Sequence, residues 1–75
     1  MRRVGEVTRL TQGLAVVRAT DEEYAEVGTR LVNQDLTTVG KVVDVFGPVE
    51  APYMAVSPGE SVHLPGLIGA PLYAR

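Results

Sequence analysis

The sequence predicts an all-β protein, built as a small closed or partly closed barrel. Three observations carry that expectation. Valine fills 13 of 75 positions against one isoleucine, one phenylalanine and no tryptophan, and with six threonines it favours pleated, half-buried strands over helices. Turn-forming residues recur about every ten positions, dividing the chain into many short strands. All five prolines lie at or beyond Pro48, and Gly47-Pro48, Pro58-Gly59, Pro65-Gly66 and Pro71 break the strands there. Closure removes the free edges that so small a sheet would otherwise expose.

The elements follow in order. Arg3 to Leu10 mixes Val4, Val7 and Leu10 with polar neighbours, an imperfect period of two that a bulge at Gly5 would rescue. Thr11, Gln12 and Gly13 read as a three-residue connection, and Leu14 to Ala19 returns as an almost continuous apolar strand. Thr20 and Glu23 have capping-box spacing, so one helical turn is expected before Gly28. Thr29 to Val32 is a short strand, and Asn33, Gln34 and Asp35 favour a turn by bonding their own backbone. Thr38 to Phe46 is the longest strand and stops at Gly47-Pro48. Pro52 to Ser57 is another, Pro58-Gly59 a turn, Ser61 to Leu64 a short strand, and Leu72 to Ala74 an edge strand. No internal repeat or low-complexity tail is evident.

Seventy-five residues make a single domain, 1–75, with a core too small for most enzymes. Seven basic against nine acidic residues leave a net charge of −2, without the basic excess of free-standing nucleic-acid binders, so affinity for bare RNA is not expected. The absence of cysteine excludes disulfides, thiolate metal sites and thiol nucleophiles. No leader-like apolar block follows the first residues and no stretch approaches a membrane span, so a soluble, unprocessed chain with no membrane partner is expected.

The chemistry inventory is short. His63, alone between Val62 and Leu64, reads as a structural histidine, because a base or metal ligand needs partners within reach. Asp21, Glu22, Glu23 and Glu26 lack the alternating spacing of a calcium loop and read as a solvated face. The glycines never form a phosphate loop. No catalytic residue, cofactor, metal or small-molecule substrate is expected.

The informative stretch runs from Val39 to Val56. By strict period two, Val39, Val43 and Val45 face one way and Val42 and Phe46 the other, so both faces are apolar. Met54 and Val56 oppose Tyr53 and Ala55 in the next strand. A barrel has one interior, so the second face needs cover, from a partner protein or from loops and the segment Gly66 to Tyr73 folding over it.

The block V-G-K-V-V-D-V-F-G-P-V-E-A-P-Y-M-A-V-S-P resembles the Gar-type subunit of the H/ACA ribonucleoproteins, which carry out RNA-guided pseudouridylation. The resemblance extends to Val4-Gly5, Gln12-Gly13, G-T-R-L-V at Gly28 to Val32 and the closing L-I-G-A-P-L-Y-A-R, so it covers essentially the whole chain. It implies a six-stranded β-barrel akin to those of translation factors, and a non-catalytic subunit. Such a subunit docks on the catalytic domain of the pseudouridine synthase and helps substrate RNA load and leave. The catalytic aspartate then belongs to the synthase and not to Asp44. Carried over position by position, Val45, Phe46, Gly47, Pro48, Val49, Pro52 and Tyr53 form the docking surface or its support. Gly47-Pro48 would fix a rigid corner, Pro52 would stiffen the next strand's start, and Tyr53 suits an anchor. Guide RNA would be met only inside the assembled particle. The sequence lacks the glycine- and arginine-rich tails of eukaryotic members, which points to an archaeal, cytoplasmic form. An assembly factor that shares the core domain is the second reading within the family, and a free-standing RNA-binding barrel is the alternative outside it.

Overall fold

The computed structural model describes residues 2–20, 24–59 and 64–74. Six strands are present: β1 (Arg2–Thr11), β2 (Leu14–Ala19), β3 (Arg30–Val32), β4 (Thr38–Phe46), β5 (Tyr53–Pro58) and β6 (Pro71–Ala74), with a 3-10 turn at Leu64–Leu67. They close into one antiparallel barrel in the order β1-β2-β5-β4-β3-β6. The all-β closed barrel agrees with the sequence reading, and its six strands with the number the resemblance implies.

Local chemistry explains most boundaries. The β1–β2 link is a two-residue turn, not three: Gln12 and Gly13 both take positive φ, 50° and 78°, as in the type I′ turns whose twist suits a hairpin. After β3, the Asn33 side-chain oxygen accepts hydrogen bonds from the amides of Asp35 and Thr37, at 2.9 and 3.0 Å, and so builds the expected turn. The expected helical turn falls partly on residues 21–23, outside the described residues, and 24–27 are not helical. The expected strand at Ser61–Leu64 also lies mostly outside them, and Leu64 opens the 3-10 turn instead.

The interior is filled from all six strands by Val4, Val7, Val17, Leu31, Val39, Val42, Met54, Val56 and Leu72, all almost fully buried, and Leu67 of the 3-10 turn adds to the same cluster. Each such side chain contributes about 1.5–3 kcal/mol of burial. No polar side chain is buried among the described residues, so the core is held by packing alone.

The two long strands depart from period two in the same way. In β1 the inward residues are Val4, Val7 and, partly, Leu10; in β4 they are Val39, Val42 and, partly, Val45. Each interval of three contains a bulge. Val4 and Thr8 are the extra residues of β1 against β6 and β2, and Val39 and Val43 those of β4 against β3 and β5. This corrects the expected facing of β4: Val42 points in with Val39, while Val43 and Phe46 are exposed. An inserted residue reverses side-chain parity, and each strand carries two.

These bulges belong to an internal repeat that the sequence reading missed. The motif Val4-Gly5-x-Val7-x-x-Leu10 recurs as Val39-Gly40-x-Val42-x-x-Val45. The pairings recur with it: Gly5 opposite Ala19 and Gly40 opposite Pro58, Val7 opposite Val17 and Val42 opposite Val56, Thr11 opposite Leu14 and Phe46 opposite Tyr53. The halves β1-β2-β3 and β4-β5-β6 are related by an approximate two-fold axis. Gly5 and Gly40 are equivalent for a packing reason, since a Cβ on either would collide with the carbonyl of Arg18 or Ser57 across the ladder.

Candidate functional site

The two-fold relation fails most visibly at the hairpin ends. The first half turns in two residues at Gln12-Gly13, whereas the second carries a longer connection from Gly47 to Pro52 between Phe46 and Tyr53. Every site residue inferred from the sequence lies on this connection or its two strand ends, and their roles divide.

Val45 is half-buried and packs on the core, while its amide donates to the Asp44 carboxylate at 2.8 Å. That bond sits beside the Val43 bulge and gives Asp44 a structural task. Pro52 is buried, and its carbonyl accepts from the Ala19 amide at 2.9 Å, tying the connection to β2. Val45 and Pro52 are therefore mainly supports, contributing to the surface only where they line the groove beside Phe46. Phe46 and Tyr53 are cross-strand partners whose rings stack, with centroids 5.7 Å apart and planes 20° from parallel. Tyr53 is half-buried, so it is a backing for Phe46 more than a free anchor.

Gly47 takes φ of 94°, and a Cβ there would come within 2.9 Å of the Tyr53 ring, so this corner requires glycine twice over. Pro48 then restricts the exposed backbone, and Val49 stands out with 83% of its surface in solvent. Phe46 is 41% exposed. The result is an apolar knuckle on a rigid base.

A groove of about 270 Å³ runs beside this knuckle, lined by Val45, Phe46, Pro48, Val49, Pro52 and Tyr24. Tyr24 was not expected there. It is placed because the neighbouring Ala25 is buried and its amide contacts the Met54 sulfur at 3.4 Å, a long-range contact with no local signature. The segment Gly66 to Tyr73 does not cover this face. The amides of Val7 and Gly69 bond the carbonyls of Ala70 and Val7, so that segment is anchored against β1 while Leu67 enters the core.

His63 and Asp21 to Glu23 lie outside the described residues, and the described residues hold no cluster of acidic or histidine side chains suited to a metal ion. No helix among them is long and apolar enough to cross a membrane.

A closed barrel that keeps a rigid apolar knuckle in solvent defines a small binding module, whose working surface is a loop carried by a stable frame. Comparison with known proteins gives that class a family. The family model described as the Gar1/Naf1 RNA binding region matches residues 1–74. A solved structure of the Gar1 domain of Naf1 superposes with a TM-score of 0.75, covering 99% of this chain and 85% of that one at 18% identity, a likeness of fold. No curated protein matches the chain. The chain belongs to the Gar1/Naf1 family.

Proposed function

We propose that this chain is a non-catalytic protein subunit of an H/ACA guide-RNA pseudouridine synthase complex. It docks on the catalytic domain of the synthase through Phe46, Pro48 and Val49, and aids loading of substrate RNA and release of product. Val45, Gly47, Pro52 and Tyr53 hold those three in place. The observation that carries this reading is the apolar knuckle, because it appears where one half of the barrel departs from its repeat and none of the described residues covers it. Exposed apolar side chains on a pre-organised loop lose little conformational freedom on binding, which suits a protein partner. RNA is then met within the assembled particle, in the cytoplasm of an archaeal cell.

The test is isothermal titration of the chain into an archaeal H/ACA pseudouridine synthase without RNA. The expected result is a one-to-one complex. Absence of heat together with separate elution of the two proteins would remove the docking role.

A further inference from the structure

The outer face of β3 and β4 carries an arrangement that strand pairing alone does not favour. Arg30 and Lys41 are direct cross-strand partners, both exposed, and neither has a carboxylate partner among the described residues. Like charges placed opposite one another destabilise a sheet. Lys41 is also opposite Ser57 of β5, and both cations line a groove of about 220 Å³ together with the exposed Thr38 and Ser57. Gly40 and Gly59 supply the rest of the lining together with Pro58, so the groove has no large apolar side chain.

We propose that this groove binds the phosphodiester backbone of RNA, with Arg30 and Lys41 contacting phosphate oxygens and the hydroxyls of Thr38 and Ser57 donating to them. The lining selects between partners. Protein interfaces exclude charge from their centres and bury aromatic or aliphatic anchors, and neither condition is met. Phosphate contacts use arginine, lysine and hydroxyl side chains around accessible backbone, and this groove supplies them all. The repeat supplies a control within the same molecule. The position equivalent to Lys41 in the first half is Glu6, which stands opposite Arg18, so that position accepts opposite-charge pairing and the second half has a cation in its place. The site is local in a chain of net charge −2, so its affinity is weak and steeply dependent on salt. It is separate from the docking knuckle, and the two proposals fail independently.

The test follows backbone amide resonances of the isotopically labelled chain during titration with a short single-stranded RNA of mixed sequence at low salt. Saturable shifts are expected at Arg30, Thr38, Lys41 and Ser57. Lys41→Glu is expected to weaken the binding by about tenfold or more, the loss of one charge-assisted contact. The same substitution sets opposite charges across the ladder and should raise the melting temperature by about 2–4 °C. Arg3→Glu, in the equivalent groove of the first half, should leave the shifts in place. The proposal is overturned by absence of shifts at low salt, by shifts centred on another face, by RNA binding that survives Lys41→Glu, or by equal binding of polyglutamate, which would make the groove a site for acidic peptide.

Discussion

Val49→Asp separates docking from folding more cleanly than any other substitution in the knuckle. Val49 has 83% of its surface in solvent, so the folded chain gains almost nothing from its side chain, and stability should stay within about 0.5 kcal/mol of wild type. Docking is different. Burying the valine against the synthase is worth about 1.5 kcal/mol or more, and an aspartate there both forfeits that burial and leaves a desolvated carboxylate that costs about 1–3 kcal/mol. At 1.4 kcal/mol per tenfold the sum corresponds to a loss of affinity of about 100-fold. Titration calorimetry against the synthase reads the affinity and a thermal melt reads the fold. Tyr53→Glu would not serve alone, because its ring is half-buried and stacked on Phe46, and losing that stack costs about 0.5–1.5 kcal/mol beyond the lost area. A Val49→Asp chain that melts normally and still binds within about threefold of wild type would refute docking through this loop.

Two further predictions concern the frame. Gly40→Ala places a Cβ 2.9 Å from Pro58 Cα and against the Ser57 carbonyl, forcing the β4–β5 ladder apart at a cost of about 2–4 kcal/mol. The melting temperature should fall by about 10–25 °C, Gly5→Ala should behave alike, and a change under about 3 °C would contradict the close approach. Leu36 takes φ of 66° while half exposed, so Leu36→Asn removes strain without uncovering the core. A gain of about 0.5–1 kcal/mol in denaturant unfolding is expected, and destabilisation would mean that the leucine packs on something of consequence.

What could be read from the sequence follows from the range of the forces involved. The bounds of β2 and β4 are those expected, because Gly13 and Gly47-Pro48 punctuate them locally. The facing of β4 was not legible, because a bulge is created by the neighbouring strand: Val43 is an extra residue only relative to β5, and Val39 only relative to β3. The same ignorance of pairing hid the repeat, since Val-Gly-x-Val is too short a motif to register until identical pairings flank both copies. The candidate site could be named from the sequence as a segment, from Val45 to Tyr53, but its division into exposed and supporting side chains could not. Pro52 and Tyr53 look in sequence as available for contact as Val49, and only the hydrogen bond to Ala19 and the stacked ring turn them into supports.

The order of the strands also has a consequence for synthesis. β6 is the last of the six described strands in chain order, yet it lies between β1, the first, and β3. Until Pro71–Ala74 has left the ribosome, both neighbours keep a bare edge and the barrel cannot shut, so closure waits for the last of the six strands. A nascent chain stalled before β6 emerges would carry two unpaired rims where the closed barrel has none.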